Sequence, residues 1–185
     1  MLSVFEKEFY MKKSKLTKLI FMALCAVLGL FAKKLINPFA NLLTDSLHIP
    51  GGISAGFSLM FLAIAAELVQ LRRCGSMMGA VQGALALISG RVGSMGALMP
   101  LGYLMPGIVI DLLYPLTRAW SQEERMAVSN MAAAVTASLT ANLIVFHLWG
   151  VVLCLYLTVS AVSGLLWGLL GAALIKRLKP ILSMI

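Results

Sequence analysis

Side chains that could hold a small molecule are gathered in the short polar segments that separate long apolar runs. These segments contain asparagines, an arginine, a tryptophan and both histidines of the chain. Small-molecule sites combine aromatic walls with a few polar groups that fix orientation, so this mixture is typical of a binding pocket. The side chains in question are Asn37, Asn41, Asp45, His48, Arg91, Ser94, Asn142, His147 and Trp149.

Two helical stripes extend this group into the apolar runs. Met95, Met99 and Tyr103 recur at steps of four, which places them on one face of a helix. A second stripe has steps of seven, four, three and four and consists of Trp149, Tyr156, Ser160, Ser163 and Trp167. Anchoring at the membrane interface is the alternative role for single aromatic residues of these stripes. The predicted substrate-binding residues are Asn37, Asn41, His48, Arg91, Met99, Tyr103, Asn142, His147, Trp149 and Tyr156.

Sequence templates for catalysis give no support to an enzyme. The chain has no GxxxxGK[ST] phosphate-binding loop and no HExxH zinc motif. Cys25, Cys74 and Cys154 are isolated, odd in number and without metal-ligand spacing, so we interpret them as small packing residues. We predict no catalytic residue, no metal site and no cofactor.

Two acidic residues, Glu67 and Asp111, lie inside the apolar runs, where charges are candidates for function. Both fall close to arginines in the sequence, namely Arg72, Arg73 and Arg118. We interpret the two carboxylates as members of interfacial ion pairs. Proton coupling is the alternative, and the spacing does not select it.

The composition indicates that the solvent around these residues is lipid. Hydrophobic residues make up 61% of the 185 positions, charged residues make up 12%, and the mean hydropathy is +0.96. A soluble domain covers its surface with about 25% charged residues. We therefore predict a helical membrane protein without a separate soluble domain.

The apolar runs predict an all-α bundle of six transmembrane helices, since a spanning helix needs about 20 mostly apolar residues. Residues 1–18 are predicted to form a basic cytoplasmic N-terminal segment, and residues 19–185 a six-helix transmembrane substrate-binding domain. Residues 33–52 are predicted to form a long ordered loop because prolines and glycines punctuate them. The predicted spans are Leu19–Ala32, Ile53–Gln70, Gly75–Ser89, Gly96–Leu116, Met126–Phe146 and Val151–Ile175.

Span three carries small residues at steps of four, four, three and four, which predicts a smooth face for close helix packing. These residues are Gly75, Gly79, Gly83, Ala86 and Gly90.

The distribution of Lys and Arg predicts the orientation of the bundle. If both termini are cytoplasmic, twelve of the 15 basic residues lie inside and three, Lys33, Lys34 and Arg91, lie outside. This asymmetry follows the positive-inside rule. The net charge of +8 is thus explained by membrane topology, and we predict no nucleic-acid partner. The polar segments described above fall on the outer side.

With its size, six spans, basic tails and long first outer loop, the chain resembles the S components of energy-coupling factor (ECF) transporters. These are small six-helix membrane proteins that bind a vitamin or another micronutrient. The stretch FMALCAVLGLFAKKL is similar to the small-residue first helix of that family, usually written Ala-x-x-x-Ala. Here the small positions are Ala23, Ala26 and Gly29, together with the pair Cys25-x-x-x-Gly29.

The resemblance implies a location and partners. The chain is expected to be a multi-pass protein of a prokaryotic plasma membrane that works with a transmembrane coupling subunit and two cytoplasmic ATPases. Ala23, Cys25, Ala26 and Gly29 are the expected contact with the coupling subunit. A small-molecule substrate is expected to bind near the extracellular face and to reach the cytoplasm as the S component topples in the lipid bilayer.

The substrate class stays open among several chemistries. Lys33, Lys34 and Arg91 favour an anion or a ligand with carboxylates, whereas His48 and His147 permit a metal or a tetrapyrrole. The stretch LHIPGG is similar to the His-Ile-Pro start of cobalt and nickel S components, although in those the histidine lies at the N-terminus. The alternative function is a small membrane enzyme, or a membrane assembly protein without an ATPase module.

Overall fold

The computed structural model describes residues 2–47, 53–69, 71, 73–90 and 93–182 of the chain. Within these residues the chain forms six α-helices and no strand. A 3-10 turn at Gly93–Leu98 precedes the fourth helix, and a π-helical turn at Asn142–Phe146 follows the fifth. The helices are α1 (Leu2–Leu47), α2 (Ile53–Val69), α3 (Cys74–Ile88), α4 (Met99–Leu116), α5 (Gln122–Ala141) and α6 (Gly150–Leu182).

The prediction of a helical membrane protein is confirmed. Four segments of the described chain are helical, long and apolar enough to cross a membrane, whereas α2 and α3 are shorter apolar helices of 17 and 15 residues. Large apolar side chains on the long helices face outward, as a lipid solvent requires. The four segments are Leu16–Phe39, Met95–Leu116, Gln122–Phe146 and Gly150–Arg177.

Helix α1 continues through most of the predicted first loop. The prediction of a loop is wrong for residues 33–47, which are helical, and the remainder of that loop lies outside the described residues. Leu35, Phe39 and Leu42 continue the exposed apolar stripe, and Pro38 removes one backbone donor, which helices in lipid tolerate. At 1.5 Å per residue the 46 residues measure roughly 69 Å, against about 30 Å for the hydrocarbon core.

Helices α3 and α4 are in backbone contact through glycines, as the small-residue face predicted. A Cβ atom on Gly79 would collide with the backbone carbonyl of Tyr103, and one on Gly83 would lie 2.8 Å from the Cα of Pro100. These pairings run in opposite chain directions, so the two helices are antiparallel. Gly90 does not belong to this face, because it has a φ of +67° at the end of the helix and open space around it.

The second half of the bundle is built around α2. A Cβ on Gly56 of α2 would lie 3.0 Å from Ser163 Oγ of α6, and one on Gly171 of α6 would lie 2.8 Å from the Met60 side chain. Both contacts advance in the same chain direction, so α2 and α6 are parallel. Glycines of α6 contact α5 in the same close manner, with Gly164 against Asn130 and Met131.

Helix α5 is antiparallel to α6, because Gly164 contacts Asn130 and Gly168 contacts Met126. Arg125 at the start of α5 contacts Glu67 and Tyr114 at the ends of α2 and α4. Helices α2 to α6 therefore alternate in direction, and the bundle has two distinct ends.

We call one the Arg125 end, which contains the end of α2, the start of α3, the end of α4 and the start of α5. We call the other the His147 end, which contains the start of α4, the end of α5 and the start of α6. Positions past the middle of α1 and α3, such as Lys33 and Gln82, lie toward the His147 end.

Candidate functional site

A lysine of α1 contacts a tyrosine of α4 toward the His147 end. Lys33 Nζ donates a hydrogen bond to Tyr103 Oη at 3.2 Å and lies 4.9 Å from the centroid of the same ring. Tyr103 is 5% exposed and Lys33 is half-buried, so the ammonium group is held between helices. Among the residues that the structure describes, no carboxylate forms an ion pair with Lys33.

A buried glutamine of α3 contacts α1 about one helical turn before Lys33. Gln82 is 1% exposed, and its Nε2 donates to the carbonyl oxygen of Ala26 at 3.4 Å. Its Oε1 has no hydrogen-bond partner within the described part of the chain. A Cβ on Gly29 would lie 2.5 Å from Gln82 Nε2, so this glycine makes the room for the amide. Lys33 follows Gly29 by four residues and shares its face of α1.

A second polar group joins α5 to α6 at the same end. The hydroxyls of Ser138 and Ser160 are hydrogen-bonded to each other, and both residues are buried. Tyr156, which precedes Ser160 by one turn, is 2% exposed and stands edge-on to Phe146 with 6.0 Å between ring centroids. This part of the predicted hydroxyl and aromatic stripe is thus inside the bundle.

Asn142 holds the turn between α5 and α6 in place. Its Oδ1 accepts from the backbone N–H of Leu148 at 2.7 Å, and its Nδ2 donates to the carbonyl of the same residue at 3.3 Å. His147 lies inside this closed turn with a φ of +49° and is exposed. The side-chain amide of Asn142 is therefore already used by the protein itself.

The seven predicted substrate-binding residues whose side chains the structure describes fall into three burial classes. Tyr103, Asn142 and Tyr156 are buried, while Met99 and Asn37 are half-buried. His147 and Trp149 are exposed, and Trp149 is exposed to 82%. The placements of His48 and Arg91, and of the Asn41 side chain, lie outside what the structure describes.

The residues expected to meet a coupling subunit are mostly turned inward. Cys25 and Ala26 are 4% and 0% exposed, and Gly29 contacts α2 and α3. Ala23 is the member of this set that is exposed. The outward face of α1 instead carries larger apolar side chains, which include Leu24, Val27, Leu28, Phe31 and Leu35.

At the Arg125 end, Glu67 forms a buried ion pair. Arg125 Nε donates to Glu67 Oε2 at 2.7 Å, and Arg125 Nη2 bonds the other carboxylate oxygen. The guanidinium also lies 5.8 Å from the centroid of the Tyr114 ring. The prediction that Glu67 is ion-paired is confirmed, with Arg125 as its partner in place of the expected Arg72, Arg73 or Arg118.

Asp111 caps a helix instead of forming the predicted ion pair. Its Oδ1 accepts from the backbone N–H of Gly75 at 2.8 Å, and its Oδ2 accepts from the N–H of Ser76 at 2.7 Å and from the Ser76 hydroxyl. The carboxylate thus satisfies the free N–H groups at the start of α3 from a neighbouring helix. Among the described residues no Lys or Arg side chain forms a salt bridge with it.

A cavity of about 580 Å³ opens beside this cap, between the end of α2, the start of α3 and α4. None of the predicted substrate-binding residues that the structure describes lines it. Its lining includes Leu71, Arg73, Ser76, Asp111, Leu112 and Tyr114. The polar atoms of Asp111 and Ser76 are already bonded to each other, whereas Arg73 and Tyr114 bring a guanidinium and a hydroxyl to the lining.

One sequence motif bears on enzyme chemistry, and the spatial clustering of ligand side chains bears on metal binding. The chain contains one Gly-x-Ser-x-Gly match, at residues 52–56. A nucleophile elbow needs a strand before its serine, whereas the nearest described residues before this match belong to helix α1. The part of the chain that the structure describes contains no cluster of three or more His, Cys, Asp or Glu side chains.

The sequence did not single out Gln82, and Lys33 was predicted to lie in a loop as one of three cations that favour an anion. A signal was present for both, because a glutamine or lysine inside an apolar helix is expensive in lipid and therefore a candidate for function. Comparisons with known protein families, with characterised proteins and with solved structures find no match to this chain.

Proposed function

We propose that this chain is the solute-binding membrane subunit of an energy-coupling factor importer in a prokaryotic plasma membrane. The observation that carries the proposal is the burial of polar and aromatic side chains at the His147 end. Tyr103, Gln82, Asn142 and Tyr156 are each at most 5% exposed. Polar groups in lipid are retained mainly where they serve a function, and such a mixture suits a small solute.

The proposed topology has six spans with both termini in the cytoplasm. It is supported by the alternating directions of α2 to α6 and by the excess of Lys and Arg at the Arg125 end and the chain termini. In this orientation the His147 end faces the exterior, where a solute would enter. Helix α2 is short for a span, but its residues are largely buried by neighbouring helices.

The proposed partners are a transmembrane coupling subunit and two cytoplasmic ATPases, since the chain carries no phosphate-binding loop of its own. The burial of the small residues of α1 constrains how the coupling subunit could contact them. Cys25, Ala26 and Gly29 pack against α2 and α3, so a partner that engaged them would have to separate α1 from those helices.

Native mass spectrometry of the detergent-purified protein, with an absorption spectrum of the same sample, tests the proposal. We expect a retained small molecule, and we expect Tyr103→Ala to lose it with an unchanged far-UV circular dichroism spectrum. A strong band near the violet would assign the solute to the tetrapyrroles. The proposal would be contradicted if the protein carries no solute after growth in rich medium and no ATPase co-purifies with it under mild conditions. That result would favour an assembly protein or an enzyme.

A further inference from the structure

Lys33 is the unusual charge of this bundle. It lies inside the membrane-spanning segment Leu16–Phe39. A lysine in such a position ordinarily extends its stem toward water and leaves its ammonium solvated. Lys33 instead directs the ammonium between helices, where it meets both the hydroxyl and the ring of Tyr103. The adjacent Lys34 is exposed and provides an internal comparison.

The two described carboxylates of the apolar helices already have partners far from Lys33. Glu67 pairs with Arg125, and Asp111 caps α3, both at the opposite end of the bundle. The aromatic ring of Tyr103 stabilises a cation only in part, and its hydroxyl is a neutral acceptor. Lys33 is therefore half-buried without a negative partner among the residues that the structure describes, and an anion placed there would be favoured.

The donors and acceptors around Lys33 define what such an anion must carry. Lys33 has further N–H donors, and Tyr103 keeps its own hydroxyl proton while it accepts from Lys33. Gln82 Oε1 is a buried acceptor without a partner in the described chain. One turn of α1, about 6 Å, separates Gly29, which contacts Gln82, from Lys33.

We infer that the solute is a small carboxylic acid whose carboxylate binds Lys33 Nζ and Tyr103 Oη. An N–H or O–H group of the same molecule, a few bonds from the carboxylate, donates to Gln82 Oε1. One ammonium balances one carboxylate, whereas a phosphate dianion would bring an uncompensated buried charge. The inference rests on the proposed function and names the chemical class of its substrate.

Matched pairs of acids and neutral analogues test the inference. The probes are nicotinate with nicotinamide, pantothenate with panthenol, and biotin with its amide, each measured by thermal unfolding and equilibrium dialysis on the full chain in detergent. We expect the acid of at least one pair to bind and its neutral analogue to bind at least tenfold more weakly. Lys33→Met should weaken the acid about ten- to hundredfold, as the loss of a charge-assisted hydrogen bond does.

Two control variants keep the test decisive. Lys34→Met removes the same charge from the exposed neighbour and should leave the affinity for the acid unchanged. Lys33→Arg keeps the charge and should retain the preference for the acid. If a neutral analogue binds as tightly as its acid, or if Lys33→Met and Lys34→Met behave alike, the carboxylate site is wrong while the importer proposal stands. If no probe binds and no solute is retained on purification, both proposals fall together.

Discussion

The two ends of the helix bundle differ in whether all of their described polar groups have partners. At the Arg125 end, Glu67 and Arg125 neutralise each other, and Asp111 is occupied by the first N–H groups of α3. At the His147 end, Ser138, Ser160 and Asn142 are bonded within the protein, whereas among the described residues Lys33 has no anion and Gln82 Oε1 has no hydrogen-bond partner. A satisfied polar network holds a structure together, whereas an unsatisfied one lowers stability unless something binds to it. The difference separates a structural end from the proposed binding end.

The largest effect is expected from breaking the ion pair of the structural end. Glu67→Gln leaves the Arg125 guanidinium buried without its counter-ion and should lower the free energy of unfolding by about 3 kcal/mol. Denaturant titration in detergent, followed by circular dichroism, measures this change. Glu123→Gln provides the matched control, because Glu123 pairs with Lys176 at 3.4 Å on an exposed surface and should contribute less than about 1 kcal/mol. Equal losses from the two variants would show that the Glu67 pair is not structural.

An intermediate effect of opposite sign is expected at the binding end. Gln82→Met replaces a buried, unpartnered acceptor with an apolar side chain of similar length, and it should raise the stability of the solute-free protein by about 1 kcal/mol. The same variant should bind its solute more weakly. The two readouts are the unfolding free energy of stripped protein and the retained mass in native spectrometry. A clear loss of stability would mean that Gln82 is already satisfied, and the contrast between the two ends would disappear.

The smallest effect is expected at the outermost predicted site residue. Trp149 is 82% exposed, so Trp149→Ala should change the free energy of unfolding by less than about 0.5 kcal/mol and leave solute retention intact. Tyr103→Ala, treated in parallel, should lose the solute. Release of the solute by Trp149→Ala would instead place part of the binding site on the turn between α5 and α6.

The sequence predicts that the protein is helical and lies in lipid more accurately than it predicts where each helix begins and ends. Apolar composition requires lipid, and lipid requires backbone hydrogen bonds to be closed within helices. Span five was predicted to begin at Met126, but the helix begins at Gln122 because Ser121 and Glu124 form a capping box. The Glu124 N–H donates to Ser121 Oγ at 3.3 Å, and the Ser121 N–H donates to Glu124 Oε2 at 2.9 Å. The Ser-x-x-Glu pattern of that box is readable in the sequence.

The candidate site was harder to predict, since it depends on which helices meet. Periodicity identified the stripe that contains Tyr103, and the structure shows this residue buried. It could not show that Lys33, 70 positions earlier, reaches the same hydroxyl, because a pairing at that separation is set by tertiary packing. For the same reason the sequence did not show that Arg125 pairs with Glu67, which is 58 positions away.

The shortness of α3 has a consequence for the membrane around it. Its 15 residues measure roughly 22 Å, which is less than the hydrocarbon thickness of about 30 Å. In the proposed topology, lipid next to the exposed Met77, Val81 and Ile88 must compress to match this length. Hydrophobic mismatch of this kind favours shorter acyl chains near the helix and raises the energy of placing the protein in a thick, ordered bilayer. In that topology the lipid next to α3 is thinner than the lipid around the long helices.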